Sequence, residues 1–176
     1  MPKIIGNLRE TILKESRAIL FRSGYHELSI RAIAEACGVA VGTIYNYYDN
    51  KDTIVAHVMM EDWSQILREM EERCSAAASM EDGCCEIFSA LRRFQERFRP
   101  VFLEYSGTNE NLGIYGSRHL YLRGQLEKLL NSRAARFSAV DGQLITLAAE
   151  SILAIAKQSE FTEDSVRLLI GRLFPV

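Results

Sequence analysis

The chain has 176 residues, 48% of them hydrophobic, and a formal net charge of −2. This length and apolar content allow one or two domains with a real core, whereas the small negative charge argues against a protein that coats nucleic acid without regard to sequence. No apolar run approaches the ~20 residues needed to span a bilayer, and the N-terminus has no signal-peptide core. The sequence therefore predicts a cytoplasmic protein that makes no membrane contact.

The N-terminal part of the chain predicts a small helical bundle. Residues 8–23 carry an apolar stripe at helical spacing, and Gly24 follows as a stop. A second helix is predicted between Ser29, a good N-cap, and Gly38, where a helix favours a left-handed residue to end on. A third, short helix is predicted over 41–47. Two short helices joined by a tight turn that contains glycine are typical of the helix-turn-helix unit, whose second helix enters the major groove of DNA.

The surface of this third helix suits a contact with DNA. Gly42 and Thr43 are small enough to let the backbone approach the groove, and Thr43 offers both a hydroxyl and a methyl to base edges. Three phenols follow within four residues, beside an amide and an ammonium, and such groups hydrogen-bond phosphate oxygens. Each tyrosine alone also fits a core position, and one of Tyr47 and Tyr48 is expected to be buried. The residues predicted to contact DNA are, as first choices, Thr43, Tyr45 and Lys51, and as second choices Arg31, Val41, Gly42, Asn46 and Tyr47.

The same segment resembles a known family signature. Residues 38–48 read Gly-Val-Ala-Val-Gly-Thr-Ile-Tyr-Asn-Tyr-Tyr, are followed by Lys51, and resemble the motif of TetR-family transcriptional regulators, with similarity over about 12–55. Ala40 departs from the pattern, because the family commonly has a Ser or Thr there to cap the recognition helix, and losing such a cap costs about 1 kcal/mol. The resemblance implies a homodimeric regulator, a repressor, bound to a palindromic operator in double-stranded DNA.

The rest of the chain continues in helical periods. Pro100 is expected to stop or kink one helix, leaving 101–105 as a short helical or extended piece, and 106–113 is the loop-like stretch. The predicted fold class is all-α with about nine helices. We expect an N-terminal three-helix helix-turn-helix DNA-binding domain over 1–51 and a C-terminal helical ligand-binding and dimerisation domain over 52–176. The further helices are predicted at 52–74, 84–99, 114–137, 141–158 and 162–174.

The C-terminal domain is expected to serve dimerisation and sensing. The last two helices carry flat apolar stripes that suit a four-helix bundle between two copies, as the resemblance also implies, although the stripes also fit a role covering the monomer's own core. The resemblance further implies a pocket for a small apolar or aromatic inducer that weakens DNA binding. The arginines at 92, 93, 97 and 99, with Arg118 and Arg123 later, also allow an anionic ligand, although we favour a solvated charged face. The alternative function is a DNA-binding dimer without small-molecule input, controlled by a protein partner or by its abundance. The side chains predicted to line the pocket are Trp63, Phe88, Phe98, Phe102, Tyr105 and Tyr121, each of which also fits a core position.

No sequence pattern assembles an active site. The three histidines stand apart, and neither a metal-binding motif nor a glycine-rich phosphate loop is present. The four cysteines lack CxxC spacing, which predicts reduced, mostly buried thiols. For the adjacent pair Cys84-Cys85 we favour ordinary helix positions over a thiol-reactive sensor. We therefore predict a protein that is not an enzyme and holds no cofactor and no metal.

Overall fold

The computed structural model describes residues 7–105, 112–137 and 142–175, and the regular structure in these residues is entirely α-helical. This confirms the predicted fold class, with eight helices in place of about nine. No helix among the described residues is long and apolar enough to cross a membrane. The helices in chain order are α1 (Leu8–Ser23), α2 (Ile30–Cys37), α3 (Val41–Tyr45), α4 (Lys51–Ala76), α5 (Met80–Tyr105), α6 (Leu112–Phe137), α7 (Gly142–Ile155) and α8 (Glu163–Leu173).

The difference in helix number arises in α5, which was predicted to stop or kink at Pro100. The helix instead continues through Pro100 to its end at Tyr105, so the short piece expected after the proline is the last turn of α5. Proline removes one hydrogen-bond donor from a helix interior. Phe98 and Val101, on either side of it, are both buried, and their packing offsets that loss.

Helix α5 also begins four residues earlier than the predicted start at 84. The Ser79 hydroxyl oxygen accepts a hydrogen bond from the Asp82 N–H at 3.0 Å and donates to the Asp82 carboxylate at 2.8 Å. Ser79 therefore acts as an N-cap, which satisfies a backbone donor of the first turn. Gly83, which precedes the predicted start at 84, lies inside the helix that this cap begins.

The chain divides into two compact units. The first contains the described residues of 1–64 and 98–107, and the second contains those of 65–97 and 108–176. Helices α4 and α5 each contribute residues to both units. The functional boundary predicted at residue 51 stays a prediction, since the first compact unit extends past it.

The first unit is built on the packing of α2 against α1 and α3. Its core includes Ile12, Ile33 and Ile44, each fully buried. Charged groups also join α1 to α4, because the Arg17 guanidinium donates hydrogen bonds to the Asp62 carboxylate at 2.9 Å and to the Glu61 carboxylate at 2.8 Å. The helix-turn-helix segment, α2 and α3, is thereby supported by apolar packing on α1 and by the ion pairs between α1 and α4.

In the second unit, α6 packs on α7, and α7 packs on α8. Polar bonds tie the start of α8 to α5. The Arg92 guanidinium donates to the Phe161 carbonyl at 2.8 Å, and the Ser89 hydroxyl donates to the Glu163 carboxylate at 2.5 Å. Thr162 is the N-cap residue of α8, and its N–H donates to the Ser165 hydroxyl at 3.2 Å.

Candidate nucleic-acid interface

The turn between α2 and α3 has the caps that the sequence predicts. The Ser29 hydroxyl oxygen accepts a hydrogen bond from the Ala32 N–H at 3.1 Å, at the start of α2. Gly38 ends that helix with φ 66° and ψ 33°, in the left-handed region, where a side chain costs roughly 1–2 kcal/mol. The next N–H, of Val39, donates to the Ala34 carbonyl at 3.0 Å. These local bonds fix the direction in which α3 leaves the turn.

Helix α3 has one buried residue and an exposed surface. Ile44 is 0% exposed and anchors the helix to the unit. Val41 and Tyr45, four residues apart and therefore on one side of the helix, are both exposed, and Gly42 is exposed beside them. Ala40 is the N-cap residue and makes no side-chain hydrogen bond. The recognition helix thus lacks a cap from its own side chain, as the departure at Ala40 predicts.

The exposure of the tyrosines separates surface residues from core. Tyr48 is 2% exposed, its hydroxyl accepts a hydrogen bond from Arg9 Nε at 3.3 Å, and its ring meets His57 edge-on with centroids 5.3 Å apart. Tyr45 is 53% exposed, and Tyr47 is 47% exposed. Tyr48 is therefore the core tyrosine, and the hydroxyls of Tyr45 and Tyr47 belong to exposed side chains.

Lys51 occupies the first position of α4 and is held by the loop between α1 and α2. Its Nζ donates to the Tyr25 carbonyl oxygen at 3.2 Å and lies 4.0 Å from the centre of the Tyr25 ring. The Tyr25 hydroxyl donates in turn to the Asp52 carboxylate. An ammonium has three donors, so Lys51 keeps hydrogen-bonding capacity for a phosphate while its position is fixed by Tyr25.

The sequence interpretation missed the cap of α4. The Asn50 Oδ1 accepts hydrogen bonds from the Thr53 N–H at 2.9 Å and from the Thr53 hydroxyl at 3.1 Å. An asparagine directly before a helical run is an N-cap signal and would have identified this cap. By contrast, neither the contact between Lys51 and Tyr25 nor the pairing of Arg17 with Asp62 has a local signal.

Glycine at position 42 is not required by the packing of the chain itself. A Cβ built on Gly42 meets no heavy atom within 4 Å. A helix surface without a β-carbon allows another molecule to approach the backbone closely.

The other residues predicted to contact DNA vary in exposure: Arg31 and Asn46 are exposed, whereas Thr43 is half-buried.

The six side chains predicted to line an inducer pocket are divided between the two units. The first unit holds Trp63, Phe98 and Phe102, the second holds Phe88 and Tyr121, and the side chain of Tyr105 lies outside the described residues. Trp63, Phe88 and Phe98 are buried, whereas Tyr121 is 52% exposed. A cavity in the second unit is lined by none of the six. The aromatic pocket stays a prediction.

The cysteine side chains have the environment of structural thiols. All four cysteines are buried, and the Cys85 thiol donates to the Glu163 carbonyl at 3.6 Å. Burial raises the pKa of the Cys85 thiol, which lowers the fraction of reactive thiolate. Across residues 7–105, 112–137 and 142–175, no group of three or more histidine, cysteine or acidic side chains is arranged to hold a metal ion.

The fold and the exposed third helix together define an all-helical protein of the helix-turn-helix class. Residues 12–58 match the family described as bacterial regulatory proteins, tetR family. The helix-turn-helix segment of the chain thus belongs to the TetR family, as its signature between Gly38 and Lys51 predicts.

Curated relatives support this assignment over parts of the chain. The fatty acid metabolism regulator protein of Bacillus subtilis is 31% identical over 78 residues, which are 44% of this chain and 40% of that protein. The HTH-type transcriptional repressor KstR of Mycobacterium tuberculosis is 31% identical over 131 residues, which are 74% of this chain and 58% of that protein. The matches thus span less than two thirds of either relative.

Solved structures extend the similarity of fold to nearly the whole chain. The transcriptional regulator FadR from Bacillus subtilis, in complex with stearoyl-CoA, superposes with a TM-score of 0.66 at 20% identity, covering 92% of this chain and 97% of that one. At this identity the agreement establishes a common fold, which includes the part of the chain beyond the family match.

Proposed function

We propose that this protein is a sequence-specific DNA-binding transcriptional repressor that binds an inverted-repeat operator as a homodimer. The observation that carries the proposal is the exposed surface of α3, which combines a glycine with open space at its Cβ and two exposed residues, Val41 and Tyr45. Exposing Val41 and Tyr45 beside a glycine that weakens the helix does not stabilise the folded domain. A helix that enters the major groove of DNA, by contrast, needs exposed side chains of this kind. Membership of the TetR family and the similarity to a named repressor support the same conclusion.

Each residue in this surface has a proposed task. Thr43 reads base edges through its hydroxyl and methyl, while Tyr45 and Lys51 donate to phosphate oxygens and set the register of the protein on the duplex. Arg31 on α2 adds a further positive charge for the backbone. The supporting contacts are the Tyr25 carbonyl and ring, which hold the Lys51 ammonium at the start of α4.

Dimerisation is assigned to α7 and α8. Leu147 on α7 and Leu168 on α8 are large apolar side chains that are 50% and 65% exposed in the single chain. A second copy packed on these helices would remove them from water, by the hydrophobic effect that drives association. Two copies of α3 about one helical turn of DNA apart, ~34–36 Å, would read the two halves of a palindrome.

We further propose that a small molecule releases the repressor from its operator. The similarity in fold to FadR, which was solved with stearoyl-CoA, supports a small-molecule effector for this chain, and the aromatic residues of the C-terminal domain favour an apolar or aromatic one. The competing possibility is a dimer with no small-molecule input, controlled by a partner protein or by abundance. A thermal-shift screen, followed by operator release, separates the two, because a ligand that releases DNA must bind the free protein more tightly than the complex.

The direct test is selection of binding sites from random duplex DNA, followed by affinity measurements at several salt concentrations. The proposal predicts an enriched inverted repeat and a linear fall of log affinity with log salt, of slope about −0.9 per neutralised phosphate. Sequence-blind binding with no enriched repeat would contradict it.

Variants then assign roles within the surface. Tyr45→Phe should weaken binding to all sequences by roughly tenfold or more, as for one lost hydrogen bond to a charged group, whereas Thr43→Ala should change base preference. Tyr121→Phe is the matched control, since Tyr121 is exposed to the same degree as Tyr45 but lies in the second unit. Equal affinities of the Tyr45→Phe and Tyr121→Phe proteins would remove Tyr45 from the interface.

A further inference from the structure

The second unit contains a cavity that the proposed DNA-binding function does not use. It has a volume of about 390 Å³ and lies between the end of α4, the start of α5 and the start of α8. Small-molecule sites typically have volumes of roughly 300–1,000 Å³. This cavity is therefore large enough for a compact metabolite.

Charged groups of both signs face the cavity. Arg73 on α4 contacts Glu86 on α5, with Nη1 3.3 Å from the carboxylate oxygen, and both side chains are substantially exposed. Arg167 on α8 contacts Asp82 on α5 at 2.7 Å. Asp82 also accepts a hydrogen bond from the Ser79 hydroxyl. The Arg167–Asp82 ion pair is therefore shorter and better supported by neighbouring groups than the Arg73–Glu86 pair.

The contact between Arg73 and Glu86 is long for an ion pair. Its 3.3 Å contact is longer than the 2.7–2.9 Å of a strong hydrogen bond between ionised groups. The guanidinium has five N–H donors, and this contact uses one of them. A ligand that separates Arg73 from Glu86 replaces their contact in full when it offers a negative group to the first and a positive group to the second.

The remaining wall is apolar and shallow. The alanines at 76, 77 and 78 line the cavity with methyl groups, and the buried Cys85 lies at its edge beside α8. Small side chains leave room for a ligand's own apolar group, which gains about 25 cal/mol per Å² of apolar surface removed from water. The lining also includes the Glu163 carboxylate, which accepts a hydrogen bond from the Ser89 hydroxyl, and the Arg167–Asp82 pair. Arg73, Glu86 and the methyl-lined wall are therefore the groups that a ligand can engage at the least cost to existing contacts.

We propose that this cavity binds an α-amino acid with an apolar side chain, in its zwitterionic form. The Arg73 guanidinium binds the ligand carboxylate, the Glu86 carboxylate binds the ligand ammonium, and the alanines at 76–78 contact the side chain. This site is independent of the DNA-contacting surface of α3, and its ligand is more polar than the apolar inducer considered above.

Isothermal titration calorimetry on the full chain without DNA tests the charge requirement. The probes are L-leucine, 4-methylpentanoate, which lacks the ammonium, and 3-methylbutylamine, which lacks the carboxylate. L-Leucine should bind, and each single-charge analogue should bind at least tenfold more weakly, because it lacks one of the two charged contacts with Arg73 and Glu86. Since no operator is present, failure of the DNA-binding proposal would leave this result unchanged.

Variants place the binding in this cavity. Arg73→Gln and Glu86→Gln should each weaken L-leucine binding by about tenfold. The matched control is Arg68→Gln, an exposed arginine on the same helix that does not line the cavity, and it should bind as the parent does. The wild-type comparison among the three probes stands even where a variant fails to fold. The proposal is overturned by equal binding of L-leucine and 4-methylpentanoate, by equal losses in all three variants, or by an absence of L-leucine binding in both calorimetry and NMR titration.

Discussion

Replacing Gly42 by alanine should move stability and DNA affinity in opposite directions. A Cβ at this position meets no heavy atom within 4 Å, so the variant introduces no clash within the protein. Alanine is also the better helix former, and the gain in stability should be up to about 1 kcal/mol. On DNA, the same methyl would stand between the α3 backbone and the groove. We expect a loss of about 1–3 kcal/mol, the range for one disrupted base-pair contact, which corresponds to roughly 5- to 150-fold in affinity.

Gly124→Ala provides the matched control for this prediction. Gly124 lies inside α6 in the second unit, and its Cβ would also meet no heavy atom within 4 Å. Both variants should therefore raise the thermal midpoint, but only Gly42→Ala should weaken operator binding in a fluorescence anisotropy titration. Wild-type affinity in Gly42→Ala, or a fall in its stability, would refute the argument that glycine is present there for an external partner.

Three further predictions concern residues outside α3. Gly38→Ala should lower the free energy of unfolding by about 1–2 kcal/mol in denaturant titration, because φ is +66° while the space around the Cβ is open; a neutral result would mean that the turn relaxes. Arg17→Met should lower the free energy of unfolding by about 1.5–3 kcal/mol, since it removes the charged hydrogen bond to Asp62, which is 7% exposed. The double variant Arg17→Met/Asp62→Leu should recover part of the loss, and an equal or larger loss in the double variant would argue against a buried-charge penalty. The hydrogen bond from Arg167 lowers the pKa of Asp82, so this carboxylate stabilises the fold above about pH 4 and the contribution is lost as the pH falls through the lowered pKa. Unfolding titrations across acidic pH should therefore show a shallower acid decline in Asp82→Asn than in the parent, and parallel declines would contradict this linkage.

Much of the helix-turn-helix segment could be predicted from sequence because its determinants are local. The Ser29 hydroxyl caps an N–H three residues away, and Gly38 ends α2 with a backbone conformation that depends on its own missing side chain. The burial of Ile44 follows from helical periodicity and the closeness of the turn. These interactions span a few residues, so the order of residue types specifies them directly.

Tertiary packing determined the features that the local sequence could not predict. The sequence could not tell which of Tyr47 and Tyr48 is buried, because adjacent aromatic residues have the same local preferences. The contacts of Tyr48 with Arg9 and His57 give the answer. The continuation of α5 through Pro100 is a similar case, since the packing of buried side chains on both sides of the proline offsets the hydrogen bond that it removes.

The sequence by itself determined the helical class, the caps of the helix-turn-helix and the family, since these rest on residue types within short spans. Only the tertiary structure paired Lys51 with Tyr25 across 26 positions and Arg17 with Asp62 across 45. It likewise brought α4, α5 and α8 around one charged cavity. Contacts between residues so distant in the chain depend on how whole helices pack, and no short sequence pattern encodes that packing.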